Sequence, residues 1–238
     1  SPNVVLNTIA AEAFKEAADI LEKAADFDTA VHDMIKEQLA AHRRIIFNGN
    51  GYADAWVEEA EMRGLPNIKS MVEAIPALTT EASVRMFEAF NVFTKAELES
   101  RVEIEYEAYS KAINIEARTM IDMAGKQIIP AAVKYATMLA DSLSKVQTAC
   151  PDADVSVQAE LLTETSAYLS DMKVALANLT DVTEKCGIIE NNKEQANAYH
   201  DIVVPAMEAL RAPADKLEMM VDKELWPMPS YGDLIFEV

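Results

Sequence analysis

The sequence predicts an all-α fold: long antiparallel helices forming a helical bundle, preceded by shorter helices. Three observations carry this. Ala, Glu, Leu, Met and Lys, all good helix formers, dominate the 238 residues. Runs rich in Val, Ile, Thr and aromatics, the mark of strands, are scarce. From Leu98 to Met138 the apolar positions recur at steps of three and four, with one of seven, through Val102, Tyr106, Tyr109, Ile113, Met120, Ala124, Ile128, Ala131 and Tyr135. Half the residues are hydrophobic, so a sizeable core can form.

Residues 4 to 24 place Val5, Ile9, Ala13, Ala17 and Leu21 along one helical stripe. "DFDTAVHDMIKEQLAAHRRIIF" predicts a second helix capped by Asp26 or Asp28, with Val31, Ile35, Leu39 and Ile45 on one side. His42, Arg43 and Arg44 fall in its last turn, where cations suit the helix dipole. "NGNG" at 48–51 is the sharpest break, since Asn-Gly pairs tolerate positive φ and mark a turn. "ADAWVEEAEMR" reads as a short helix stopped by Gly64 and then Pro66. Residues 64–79, with Pro66 and Pro76, read as a connector. The main boundary is placed there, giving regions 1–75 and 76–238.

"TTEASVRMFEAF" is a short helix with a Thr cap. "TKAE", Thr94 to Glu97, is a capping box, in which hydroxyl and carboxylate satisfy each other's backbone donors. "RVEIEYEAY", from Arg101, alternates like a half-buried strand over six residues. The capping box and the three-four spacing beyond it place it in a long helix instead. Pro130 should kink that helix without ending it. Straight, residues 95–148 would span about 80 Å. A turn at "CPDAD" leads to a helix over about 155–186, with Leu161, Leu162, Leu169, Met172, Leu176 and Leu179 inward and Gly187 ending it. Another begins at Asn191 or Asn192 and carries Ala198, Ile202, Ala206 and Leu210, with a kink at Pro205. Pro213 is expected in the first turn of a further helix, "PADKLEMMVDKEL". The tail "WPMPSYGDLIFEV" reads as extended, its Trp226, Leu234, Ile235 and Phe236 docked on a surface.

The net charge of −19 argues against nucleic-acid and anionic-membrane partners, which need basic surface. No apolar run reaches the roughly 18 residues of a membrane span, and no signal-peptide pattern is visible. Cys150 and Cys186 do not make a disulfide framework and read as reduced cytoplasmic thiols.

Several constellations invite a chemical reading. Glu103 and Glu107 share a helix side while Glu105 points elsewhere, and such carboxylates could hold a metal. Bundle di-metal sites need Glu-x-x-His pairs, and none of His32, His42 and His200 stands three residues after a Glu. The glutamates therefore read as a solvated face. Glu116, Arg118 and Asp122, in an otherwise apolar run, predict a buried or half-buried ion pair across helices. His200 beside Asp201 makes no triad by adjacency, and no phosphate-binding glycine loop occurs. Of the 12 methionines, Met120, Met123, Met138, Met172 and Met207 lie at core spacing, while Met219 and Met220 with Trp226 are better candidates for a contact surface. The residues themselves point to no catalytic, cofactor-binding or metal-ligating position.

"SPNVVLNTIAAEAF", "AHRRIIFNGNGYADAWVEEAEMRGLPN", "RVEIEYEAYSKAINIEARTMIDMAGKQIIPA", "ALRAPADKLEMMVD" and "LWPMPSYGDLIFEV" together resemble the C-terminal part of type III glutamine synthetase, from Pro2 to Val238. The resemblance implies a parent ligase that makes glutamine from glutamate, ammonia and ATP, with divalent cations (Mg or Mn). Its catalytic site lies in an upstream β-rich domain, and it assembles as a cytoplasmic homo-oligomer of double rings. It implies that residues 1–75 are the helical end of the catalytic region plus a connector, and that 76–238 form a non-catalytic bundle serving assembly or regulation. No position here matches the family's catalytic, ATP or metal motifs. Two other readings are a free-standing acidic adaptor that binds a protein partner through its Met- and Trp-bearing end, and a carboxylate-bridged metal oxidoreductase.

Overall fold

The computed structural model describes residues 2–236; the last two residues of the expected tail lie outside them. Among the described residues every regular element is helical, as predicted. The chain divides into two compact units, Ser1–Glu105 and Tyr106–Val238, and the division falls inside its longest uninterrupted run of helix.

The first unit contains α1 (Pro2–Leu21), α2 (Phe27–Ala41), α3 (Asp54–Met62), α4 (Met71–Ala74), α5 (Glu81–Ala89) and the start of α6 (Lys95–Met123). Its core is small. Phe87 and Leu98, each 1% exposed, pack with Met86 against Val4, Val5, Val84, Val92 and Phe93. Thr80 caps α5, accepting from the Ser83 amide at 3.3 Å. The capping box at the start of α6 forms as predicted: Thr94 N donates to Glu97 Oε2 at 2.8 Å, and Glu97 N to Thr94 Oγ1 at 3.3 Å.

The expected stripes on α1 and α2 have the right period but not the expected burial. Ile9 and Ile35 are 49% exposed and Leu39 55%. Thr8 is the one buried residue of α1, and α2 and α3 have none. A helical period fixes which side chains share a face, whereas burial also needs a second layer, and this unit covers Val5 while leaving Ile9, Ile35 and Leu39 about half exposed.

The break at 48–51 is a turn, but not a positive-φ one. Asn50 Oδ1 accepts from the Tyr52 amide at 3.1 Å, and positive φ occurs instead at Gly64 (71°) and Asn91 (53°). Both of these close helices. Leu65 N donates to Ala60 O and Gly64 N to Glu61 O, each at 2.9 Å. Val92 N reaches Phe87 O at 3.0 Å and Asn91 N reaches Glu88 O at 3.1 Å. Gly49 is needed for close approach. A Cβ there would lie 2.5 Å from the Phe47 ring, which is stacked on Trp56 at 4.0 Å.

The second unit holds the rest of α6, a π turn (Ala124–Ile128), α7 (Ile129–Ala149), α8 (Ser156–Gly187), α9 (Asn192–Ala198), a second π turn (Tyr199–Val203), α10 (Val204–Glu218) and α11 (Tyr231–Phe236). α8 packs against both α7 and α10. Met172, Leu179, Val203 and Leu217 are fully buried in one continuous core with Ala117, Ala132, Tyr199 and Leu210. The inward-facing buried hydroxyls of α8 return to their own helix: Thr165 donates to Leu161 O at 2.7 Å and Thr183 to Leu179 O at 2.6 Å.

Pro130 and Pro205 each follow a π turn by two residues. Proline removes a donor and its ring crowds the carbonyl four residues earlier, here Lys126 and Asp201, both inside the π turns. The wider turn absorbs the mismatch, so the helix continues. Pro213 does not begin a new helix. It lies inside α10, because Ala206, Leu210, Pro213 and Leu217 form one uninterrupted buried stripe that outweighs the lost hydrogen bond. Asn191 caps α9, accepting from Glu194 N at 3.0 Å. Gln195 Nε2 donates to Ile189 O at 2.9 Å and reaches Cys186 O at 3.3 Å, so it ties the end of α8 to the start of α9. The tail is not wholly extended. Ser230 and Asp233 cap a last helical turn, α11, whose Leu234, Ile235 and Phe236 are 66%, 66% and 81% exposed instead of docked.

Candidate functional site

A cavity of about 550 Å³ opens in the second unit. α6 and its π turn bring Met120, Met123, Ala124 and Ile128, α8 brings Met172, and α10 brings Leu210 and Ala214. The tail closes another wall with Trp226, Met228, Tyr231 and Leu234. Two features of the sequence make room: the π turn widens the helix locally, and Ala124 and Ala214 are small where larger side chains would fill the space. Three charged residues of α10 stand at the rim. Arg211 Nε pairs with Asp215 Oδ2 at 3.2 Å, and Glu218 Oε1 accepts from Trp226 Nε1 at 3.2 Å.

The tail wall is held from below. Asp233 Oδ2 accepts from both the hydroxyl and the amide of Ser230 at 2.7 Å, and Asp233 Oδ1 pairs with Lys223 Nζ at 3.0 Å. These bonds, the Ser230 hydroxyl first, lower the Asp233 carboxyl to about 2 from its usual 3.8.

The residues singled out by sequence are scattered. Glu103 and Glu107 are exposed, Glu105 is half-buried, and Glu107 pairs with Lys111 at 2.6 Å along its own helix. No group of three or more potential metal ligands occurs among the described residues. The expected buried or half-buried ion pair of Glu116, Arg118 and Asp122 is absent. All three are exposed, Arg118 Nε donates to Asn114 at 3.0 Å, and Asp122 pairs with Lys126. Charges at i and i+4 on one helix reach each other without crossing to a neighbour. His200 Nδ1 lies 2.7 Å from Asp201 Oδ1 on an open surface, and His32 Nδ1 meets Asp28 O at 3.0 Å. Cys150 is exposed and Cys186 buried, both as free thiols, and burial pushes the Cys186 thiol up.

Met120, Met172 and Met207 fill or flank the core as expected, Met138 is 53% exposed instead, and Met120, Met123 and Met172 also line the cavity, which Met219 (84% exposed) and Met220 do not. Trp226, expected on a contact surface, packs against the core and lines the cavity. The signal that could have found the rest is the pair of a proline and small residues on a methionine-rich stripe, which marks both a helix irregularity and unfilled space.

A second hollow, in the first unit, is lined by Leu39, Arg43, Arg44, Ile46 and Arg63. Arg63 is committed to structure: it donates to Ile46 O at 2.9 Å and Arg44 O at 3.2 Å, pairs with Glu59 and lies over Trp56. It thereby takes up the carbonyls of Arg44 in the 3-10 turn Arg43–Ile45 and of Ile46 just after it.

Residues 30–147 match the family described as "Glutamine synthetase C-terminal domain". Over 228 residues the chain is 34% identical to the glutamine synthetase of Bacteroides fragilis, covering 94% of this chain and 31% of that protein. It is 34% identical over 208 residues to the glutamine synthetase of Butyrivibrio fibrisolvens, covering 87% of this chain and 30% of that one. It is 31% identical over 245 residues to the type-3 glutamine synthetase of Dictyostelium discoideum, covering 99% and 33%. The chain thus spans about a third of the length of these relatives. By class it is a helical segment of a glutamine synthetase. More narrowly, the chain belongs to the type III glutamine synthetase family, as its C-terminal part.

Proposed function

We propose that this chain is the non-catalytic helical part of an ATP-dependent, glutamine-forming ligase of the cytoplasm, and that it serves the assembly or regulation of that enzyme. In this reading glutamate, ammonia, ATP and divalent cations act on the remainder of the parent protein. Residues 1–75 form the helical end of its catalytic region, and 76–238 form an appended bundle. The observation that carries the proposal is the coverage: 94% of the chain aligns to only 31% of a glutamine synthetase. The uncovered apolar faces of α1 and α2 support it, because a helix stripe of this kind needs a second layer. The strongly acidic surface supports partners other than nucleic acid or anionic membrane. No described helix is long and apolar enough to cross a membrane.

The test is made on the full-length parent. Residues 106–238 are deleted, which keeps Leu98 in the first unit's core. Particle mass by light scattering and glutamine formation are then measured. An altered assembly state or altered kinetics is expected; an unchanged particle with unchanged kinetics would sink the proposal. The chain by itself is expected to form no glutamine and to bind no ATP, and turnover by it would overturn the reading as well.

A further inference from the structure

We propose that the methionine-lined cavity of the second unit is a binding site for a small apolar molecule carrying one ammonium group. Its volume, about 550 Å³, lies within the roughly 300–1,000 Å³ of small-molecule sites. Its walls are thioethers, aliphatic groups and two aromatic rings, so water inside finds few hydrogen-bond partners and is readily displaced by an apolar body. Met120, Met123 and Met172 come from two different helices, and unbranched thioether side chains adapt to the shape of an occupant.

The rim decides the charge. Arg211 and Asp215 pair with each other and offset one another's charge, which leaves Glu218 as the net charge of the rim. Glu218 is left with one hydrogen bond, from the Trp226 indole, and no cationic partner among the described residues. The Glu218 carboxylate meets the N–H edge of the Trp226 indole in a cavity that Tyr231 also lines, so an ammonium is drawn by the charge and finds aromatic surface in the same cavity. The same carboxylate repels a fatty acid. Tyr231 and Leu234 line the cavity yet are 84% and 66% exposed, so an occupant would cover the apolar surface that the tail presents. The Asp233 contacts to Ser230 and Lys223 fix the tail as a wall standing beside the opening. This inference is independent of the proposed function.

The probe is octylammonium, compared with octanol and octanoate of equal chain length. Trp56, the other of the two tryptophans, is replaced by Phe so that emission reports on Trp226 alone. Saturable binding of octylammonium, about tenfold tighter than either comparison ligand, is expected. Glu218→Gln keeps an acceptor for the indole and removes the charge; it should bring octylammonium down to the octanol level and leave octanol unchanged. Ala214→Leu should abolish binding of all three while circular dichroism stays constant. Equal binding of the three ligands, no saturable binding, or an unaffected Glu218→Gln variant would overturn the proposal. A concentration-dependent dimer that Ala214→Leu dissolves would assign the groove to a second copy and overturn it too.

Discussion

The two units use the same helical grammar to different ends. In the second, α8 is buried along its length by α7 and α10, with Met172 and Leu179 fully enclosed. In the first, α1 and α2 carry stripes of equal regularity, and Ile9, Ile35 and Leu39 remain about half exposed. The difference teaches that periodicity is a property of one helix, whereas burial is a property of a pair. A stripe without a partner over its full length stays open to solvent in this chain, however regular its period.

The sharpest way to break this comparison is to cut equal side chains from both units. Leu179→Ala should lose about 3 kcal/mol in urea unfolding, because a fully buried Leu leaves both lost transfer energy and a cavity. Ile35→Ala, at 49% exposure, should shift the midpoint by less than about 0.5 kcal/mol in this chain. In the full-length parent the Ile35 effect should grow several-fold if the face is covered there. Equal small effects in both contexts would remove the claim that a second layer exists.

Polar ties inside the second unit come next. Gln195→Ala frees the carbonyls that end α8 and should cost about 1–2 kcal/mol, read by thermal unfolding. Ser110 is 2% exposed and its hydroxyl has no hydrogen-bond partner. Ser110→Ala should therefore be neutral or stabilise by up to about 1 kcal/mol, and a clear loss would show that the hydroxyl is satisfied in solution.

The smallest expected effect is local and depends on pH. The folded Asp233 carboxyl sits at about 2, below its ordinary 3.8. Its contribution is thus fully present above 3.8 and is lost as pH falls through about 2. Trp226 emission should follow that window if the tail lets go. Asp233→Asn should show the released signal already at neutral pH, and an unchanged signal would detach the carboxylate from the tail's placement.

Much of the fold is legible in the sequence because its signals are local. Thr94 and Glu97 announce a helix start, Gly64 a stop and Asn191 another start, and each acts through bonds within a few residues. What was hidden depends on distant partners. Pro213 looks like a beginning until the buried stripe from Ala206 to Leu217 is seen to run through it. Arg118 looks like half of a cross-helix pair until Asn114, one turn back, takes it. The cavity was less legible still, since Met120 and Met172 at core spacing look alike whether the space beside them is filled or left open. The family resemblance was readable from whole stretches, and it added what spacing could not.

The two π turns carry a last consequence. Each is a single extra residue that its helix has accommodated, and one residue corresponds to about 100° of rotation. Everything after Ile128 and after Val203 is therefore dialled to an azimuth that a regular helix from the same start would miss. Deleting one residue within either turn would shorten the chain very little, yet it would swing the faces of α7 or α10 away from α8. These helices behave as keyed shafts, and their cut depends on a length, not on any one side chain.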